Sequence, residues 1–206
     1  GSMKVRAEPL PLTEPLEGGR DDSTVVVEPI EAGRIHIPGE FHEYEGRGPL
    51  AAMKALGLRG SQSEWADVPV PAYLVRHPSV GSILVDTGLH PSIASDPRHN
   101  MGRRAARHFS LQAGQDVPSS LRAKGLSAGE IEYVILTHLH IDHASAISEF
   151  PESTFVLTAQ EWDAATSARI PLLAGYRPAH YDHAFDYSTV DFESDLVSSY
   201  GPFGRT

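Results

Sequence analysis

The sequence predicts an α/β fold in a single domain, and three observations lead to this prediction. From residue 68 onward, segments typical of strands alternate with segments typical of helices. The chain has 206 residues, of which 40% are hydrophobic, so it is long enough to bury the core of one domain. Neither an internal repeat nor a linker divides it. We therefore predict a single domain over residues 3–206, behind an expression-tag remnant at Gly1-Ser2.

Composition excludes several classes of function. A net charge of −10 disfavours a nucleic acid as partner, because phosphate binding needs clustered Lys and Arg. The chain has no cysteine, so disulfides and thiolate metal sites are impossible. No apolar run approaches the length of a membrane helix, and the residues after Met3 are too polar and Pro-rich for a signal peptide. We expect a cytoplasmic protein without membrane contact.

The first third of the chain has weaker signals. Residues 3–23 are rich in Pro, Glu and Gly and predict an irregular arm with an edge strand at Lys4–Ala7. The β-branched residues of Thr24–Ile37 surround a Gly-containing turn and predict a hairpin. Phe41–Gly60 is predicted to be a loop with a short helical patch at Leu50–Leu56, which either walls a pocket or is an ordinary surface excursion.

The remaining elements alternate. A capping box at Ser127–Glu130, in which a Ser is followed three residues later by a Glu, precedes the central strand. After Ile170 the sequence is predicted to be loop-like. The predicted strands are Val68–Val75, Ser82–Val85, Tyr133–Leu136 and Thr154–Leu157. The predicted helices are Arg103–Leu111, Ser119–Lys124, Ala144–Glu149 and Gln160–Ser167.

Four potential metal ligands follow the central strand within six positions: His138, His140, Asp142 and His143. Because side chains alternate along a strand, His138 and His140 are expected to point the same way and hold one ion. Asp142 and His143 lie where the strand turns into a helix, and they can reach a second ion beside the first. Imidazole with a carboxylate suits zinc, while Mn, Fe and Co accept the same donors. The alternative is a surface cluster in a chain with 11 histidines, which four ligand types at this spacing disfavour.

Asp86 ends the predicted strand Ser82–Val85, just before Thr87-Gly88. A lone Asp in this position is usually a turn former. Beside a His cluster it can also orient a ligand imidazole through a hydrogen bond from behind. We expect Asp86 within hydrogen-bond reach of the cluster, because neighbouring parallel strands end at the same edge of a sheet.

Three segments carry a resemblance to a known family: ILVDTG at 83–88, GLSAGEIEYVILTHLHIDHA at 125–144 and FVLTAQEWDAA at 155–165. Together they resemble the metallo-β-lactamase superfamily, and within it the sequence is most similar to the N-acyl homoserine lactonases. The resemblance covers roughly residues 68–166. It implies an αββα sandwich with a two-zinc site at one edge of the sheets. His138 and His140 would hold the first zinc and Asp142 and His143 the second, with Asp86 behind them.

Two departures from the family pattern stand out. Ser145 occupies a position where many relatives have Gly. The family's third His, bridging Asp and last His are not evident, since only His180 and His183 follow the motif and neither has the family's Gly-rich surroundings. We therefore expect a chain that is incomplete at its C-terminus and represents mainly the N-terminal half of the fold. Such a chain would bind metal weakly and lack activity, and it would be poorly soluble unless paired with a second copy or with the missing segment.

The implied chemistry is quorum-quenching lactone hydrolysis. Two metals about 3.5–4 Å apart lower the pKa of a shared water, so that a hydroxide attacks the carbonyl carbon. Asp142 would act as the catalytic residue that fixes this nucleophile and carries a proton to the leaving oxygen. The substrate would be a small lactone or ester. Two alternatives stay open: another hydrolase of the same fold, acting on a thioester, phosphotriester or other ester, and an inactive metal-binding chain.

Overall fold

The computed structural model describes residues 4–10, 24–38 and 65–191. Within these ranges eight strands form one mixed sheet, and four α-helices accompany it. The strands are β1 (Glu8–Pro9), β2 (Val26–Pro38), β3 (Trp65–His77), β4 (Gly81–Val85), β5 (Phe109–Ser110), β6 (Ile131–Ile135), β7 (Thr154–Thr158) and β8 (Asp186–Val190). The helices are α1 (Pro97–Ala105), α2 (Val117–Ala123), α3 (Ile141–Ala144) and α4 (Ala159–Ser167).

The order of the strands in the sheet is β1-β8-β7-β6-β4-β3-β2-β5. Strands β4, β6, β7 and β8 run parallel to one another, whereas β3 pairs antiparallel with both β2 and β4. The predicted α/β class is therefore confirmed. Because the parallel strands share one direction, the loops that leave β4 and β6 meet at one edge of the sheet.

The core lies against one face of this sheet. A continuous row of paired residues crosses five strands and is at most 2% exposed. The row consists of Leu74, Leu84, Val134, Phe155 and Tyr187. On the opposite face Tyr73 and Ile135 remain 38% and 42% exposed among the described residues. One face of the sheet is therefore buried and apolar, whereas side chains on the other face are partly exposed to solvent.

No helix within the described ranges is long and apolar enough to cross a membrane.

The predicted hairpin over Thr24–Ile37 is wrong. The segment forms one long strand, β2, whose register against β3 shifts between Glu31 and Arg34. Gly33 adopts φ 123°, and the neighbouring Ala32 carbonyl accepts a hydrogen bond from the Leu89 amide at 3.0 Å. A Gly that predicts a turn thus forms a β-bulge, and beside it the strand is hydrogen-bonded to the loop after β4.

The predicted helix at Arg103–Leu111 is also wrong in its bounds. Helix α1 begins at Pro97, because the Asp96 carboxylate accepts hydrogen bonds from the amides of Arg98 and His99. The helix is interrupted at Gly102, which has φ 78°, and the chain then enters β5. The Asp-Pro pair was the start signal that the prediction overlooked.

Other elements lie close to their predicted positions. Helix α2 and the capping box are confirmed. The predicted helix Ala144–Glu149 is split into α3 and a 3₁₀ turn at Ile147–Glu149. The N-terminal edge strand forms at Glu8–Pro9 rather than Lys4–Ala7, and the segment after Ile170 contains β8, which was not predicted. The predicted loop at 41–60 and its patch at 50–56 lie outside the described residues.

Candidate metal centre

The His-rich motif begins just beyond the end of β6 rather than within it. Residues 136–139 form a loop with a bend at Thr137, and His140 is the N-cap of α3 with φ −61° and ψ 155°. Alternation persists in this loop, because Leu139 is fully buried while His138 and His140 are partly exposed. The His138 and His140 ring centroids lie 4.6 Å apart. The expected pairing of these rings is therefore observed, although on a loop instead of a strand.

Helix α3 adds the other two side chains of the motif. The centroids of the His143 and His138 rings are 4.1 Å apart, and Nε2 of His143 lies 3.3 Å from Oδ2 of Asp142. One potential ligand atom from each of His138, Asp142 and His143 lies within 4.8 Å of the others. His140 is not part of this three-residue group, but its ring lies beside that of His138, with centroids 4.6 Å apart. The structure therefore brings all four predicted residues together at the edge of the sheet.

Asp86 lies directly behind this cluster and is 3% exposed. Its Oδ1 accepts a hydrogen bond from the Thr137 amide at 2.8 Å, and its Oδ2 accepts one from the Thr137 hydroxyl at 2.7 Å. Nδ1 of His143 lies 2.9 Å from the same Oδ2. Asp86 also has φ 59°, a conformation rare for residues other than Gly and concentrated at functional sites. The expected hydrogen-bond reach to the cluster is present.

The hydrogen-bond network determines which nitrogen of each ring carries a proton. Thr137 has one hydroxyl hydrogen and donates it to Asp86, so its 2.9 Å contact with Nδ1 of His138 needs a proton on that nitrogen. Nδ1 of His143 faces a carboxylate and must also donate. In the neutral rings of His138 and His143, Nε2 is therefore left with a free lone pair. Thr137, which sequence analysis did not single out, connects both rings to one carboxylate.

For His143 and Asp142, burial and neighbouring charges shift the pKa in opposite directions. Burial lowers the pKa of His143, but hydrogen bonds to Asp142 and Asp86 outweigh burial and raise the pKa to about 9. Burial raises the pKa of Asp142, but the hydrogen bond and positive charge of His143 outweigh it and lower the value. Burial, together with the neighbouring His143 and His140, lowers the pKa of His138. Two carboxylates thus hold a proton on His143 in the metal-free protein, and a metal ion must displace that proton.

The turn after Asp86 is fixed to α3. The Thr87 amide and hydroxyl both donate to the His143 carbonyl, at 3.0 and 2.8 Å. Ser145, 2% exposed, accepts a hydrogen bond from the His90 amide and donates one to the Gly88 carbonyl. The Ser145 hydroxyl therefore strengthens this connection.

A second segment closes the other side of the motif. The Ile141 amide donates to the Gly175 carbonyl at 3.0 Å, and Tyr176 forms a β-bridge with His140. Gly175 has φ 84°, and a Cβ placed on it would lie 3.0 Å from Cδ2 of His140. Sequence analysis missed this contact, because the segment has no periodicity and its Gly was interpreted only as a loop residue.

An apolar cavity of about 420 Å³ lies between this segment, α1 and β2. His140 and Asp142 form part of its wall, so the cavity leads to the cluster. Its apolar lining includes Ile35, Phe109, Ile141, Leu172 and Leu173.

The two histidines that follow the motif do not join the cluster. His180 is 5% exposed, and its Nε2 lies 3.1 Å from the Asn100 carbonyl. Burial lowers the pKa of His180 to about 4. His183 stacks on Phe185, with ring centroids 5.1 Å apart. Among the described residues, neither histidine belongs to the group that could hold a metal ion.

The residues present fit a divalent metal ion. Imidazole nitrogens and a carboxylate are clustered, both rings are held from behind at Nδ1, and Nε2 is the atom of each ring left for a metal ion once His143 has lost its second proton. Fold and site together define a class: an α/β protein whose parallel strands end at a His/Asp cluster suited to first-row metals.

Comparisons with known proteins identify the family within that class. Residues 65–202 match the family model of the Metallo-beta-lactamase superfamily, so the chain belongs to that superfamily and the predicted resemblance is confirmed. It is 31% identical over 115 residues to N-acyl homoserine lactonase AttM of Agrobacterium fabrum, covering 54% of this chain and 43% of the relative. It is also 31% identical over 137 residues to N-acyl homoserine lactonase AiiB of Agrobacterium fabrum, covering 66% of this chain and 46% of the relative. The chain thus spans about half the length of the curated relatives it matches.

A solved structure agrees with the fold. An N-acyl homoserine lactone hydrolase with the product N-hexanoyl-L-homoserine bound at its catalytic metal centre superimposes with a TM-score of 0.59 and 21% identity. The match covers 80% of this chain and 59% of that chain. At this identity the likeness supports the metallo-β-lactamase fold and nothing finer.

Proposed function

We propose that the protein is a metal-dependent hydrolase that uses two zinc ions to open a lactone or a related ester. One observation carries the proposal: Asp86, directly and through Thr137, holds the Nδ1 atoms of His143 and His138, so that Nε2 is the atom of each ring left for a metal ion once the second proton of His143 is displaced beside Asp142. Such support from behind is typical of metal-binding imidazoles. The names of the lactonase relatives point to the same chemistry.

The roles of the residues follow from their places. Zinc, when bound, lowers the pKa of a coordinated water and polarises a carbonyl group. We assign His138 and His140 to the first ion and Asp142 and His143 to the second. Asp142 also lines the apolar cavity, so its carboxylate can fix the attacking water and carry a proton to the leaving oxygen. Asp86 keeps the rings in their metal-binding tautomer.

The cavity favours a neutral substrate with a hydrocarbon part. Most of its lining residues are apolar, with His36 and His108 as further polar members, so an alkyl or acyl group can pack there while the ester bond lies at the cluster. A lactone suits this site, because it is neutral and its leaving group stays attached after ring opening. Mn, Fe and Co accept the same donors, and metal analysis of the purified protein decides between them.

The test compares substrates and variants in one assay. The purified protein is stripped with a chelator, reloaded with zinc or manganese, and assayed on lactones, linear esters, thioesters and phosphotriesters. Given the further metal ligands that the family resemblance implies, we expect metal-dependent lactone turnover that is lost in His138→Ala and kept in His99→Ala, which changes an exposed histidine of α1. Turnover of thioesters or phosphotriesters but never lactones would favour another hydrolase of this fold. Metal binding without any turnover would favour an inactive metal-binding chain.

A further inference from the structure

Glu161 connects two parts of the site that sequence analysis treated separately. It lies in the first turn of α4, where the Thr158 hydroxyl caps the helix by accepting a hydrogen bond from the Glu161 amide at 3.2 Å. Its Oε1 accepts a hydrogen bond from the Leu139 amide at 2.7 Å, and its Oε2 accepts one from the Tyr176 hydroxyl at 3.3 Å. One carboxylate therefore contacts both the His-rich loop and the segment that closes it.

The Leu139 amide occupies a special position. It lies between His138 and His140, in a loop that has left the sheet and no longer has strand neighbours on both sides. Fixing this amide orients the peptide plane between His138 and Leu139, while the fully buried Leu139 side chain anchors the residue that connects to His140. Leu139, which connects the two histidines, is thus held by both its amide and its side chain.

Tyr176 extends the restraint to the His140 ring. It is 8% exposed, bridges His140 through the backbone, and lies with its ring centroid 5.0 Å from that of His140. Its hydroxyl hydrogen bond to Glu161 ties this contact to the same carboxylate. The contacts of Glu161 and Tyr176 therefore restrain the spacing and orientation of His138 and His140.

We propose that Glu161 is a positioning residue that sets the geometry of His138 and His140 for metal binding. The proposal rests on the proposed function in so far as these histidines hold a metal ion. A purely structural role predicts something different, because an acid in the first turn of a helix stabilises that helix through its dipole alone. Only a positioning role couples Glu161 to the order of the loop and to metal affinity.

The experiment has one arm without metal and one with it. In the metal-free protein, amide hydrogen exchange is measured by NMR at Leu139 for the wild type, Glu161→Ala, Glu161→Gln and Asp163→Ala. Asp163 is the matched control, an exposed acid on the same helix. In the second arm, Co²⁺ is titrated into the same proteins and followed by its d–d absorption, which reports ligand geometry as well as affinity.

We expect Glu161→Ala to speed exchange at Leu139, weaken cobalt binding by about tenfold and alter the cobalt spectrum. Glu161→Gln keeps an oxygen acceptor for the Leu139 amide and should recover most of both properties, and Asp163→Ala should resemble the wild type. Unchanged exchange at Leu139 in Glu161→Ala would overturn the proposal, as would faster exchange with wild-type cobalt affinity and spectrum.

The two arms separate this proposal from the proposed function. If the wild-type protein takes up no cobalt, the proposed function fails. Slow exchange at Leu139 that is lost in Glu161→Ala and recovered in Glu161→Gln would still support positioning of the loop by Glu161. If the wild type binds cobalt and Glu161→Ala binds it equally well with the same spectrum, the positioning role alone fails.

Discussion

Replacing Asp86 by Asn tests how the cluster is oriented. The substitution preserves size, and Asn tolerates the left-handed backbone at φ 59°, so the turn can keep its shape. The amide keeps one oxygen for the Thr137 N–H but presents an NH₂ group where Oδ2 now accepts from Thr137 and His143. Nδ1 of His143 must then become an acceptor, which moves its proton to Nε2, the atom assigned to the metal.

The size of the effect follows from what is lost. Removing a hydrogen-bonding partner behind a metal ligand typically lowers metal affinity by about 10- to 100-fold. That range corresponds to about 1.4 to 2.8 kcal/mol. The Asp86 carboxylate also contributes to the pKa of about 9 at His143, so this pKa should fall toward the ordinary value of 6.5 in the metal-free variant.

Cobalt titration measures the affinity, and nitrogen NMR of the imidazoles reports the tautomer and the pKa of His143. The control is Asp116→Asn, which changes a 4% exposed carboxylate that caps α2 through Ser119. We expect that control to bind cobalt like the wild type. If Asp86→Asn binds cobalt with wild-type affinity and keeps the proton of His143 on Nδ1, the orientation argument is refuted.

Two further predictions concern the segment after α4. Gly175→Ala puts a Cβ about 3.0 Å from the His140 ring, at a backbone φ of 84°. Urea denaturation should therefore show a free energy of unfolding lower by about 1–3 kcal/mol, and cobalt should bind more weakly. An unchanged urea midpoint would contradict the close contact. Because burial lowers the pKa of His180 to about 4 from 6.5, the unfolded state gains protons first as pH falls. The stability present above pH 6.5 should therefore fall by up to about 3 kcal/mol between pH 6.5 and 4. His180→Gln should flatten this acid response and the exposed His99→Gln should not; equal responses would remove His180 as its source.

Local signals in the sequence predicted the position of the site. The apolar run before the motif marked a buried strand, and the alternation of His138 and His140 placed their rings together even though the strand ends earlier. Asp86 was predicted within reach of the cluster from its place at the end of a parallel neighbour. These inferences depend on short-range geometry, which a sequence displays directly. The ligand roles themselves stay predictions.

What the sequence did not reveal depends on contacts between distant segments. Glu161 is 22 residues from Leu139, and nothing in its surroundings distinguishes it from an ordinary acid in the first turn of a helix. Gly33 predicts a hairpin turn by itself, and only the antiparallel partner β3 turns that position into a bulge. Gly175 was assigned to a loop, although its missing side chain leaves room for a histidine.

The arrangement in which His138 and His143 depend on Asp86 has a thermodynamic consequence. Asp86 contacts His143 directly and His138 through the Thr137 hydroxyl, so one connected chain of hydrogen bonds restrains both rings. Restraining either ring reduces the conformational freedom that the other must still lose. For the two ion positions that we propose, occupation of one should therefore favour occupation of the other, and both the Thr137 hydroxyl and the direct contact of the two rings connect them.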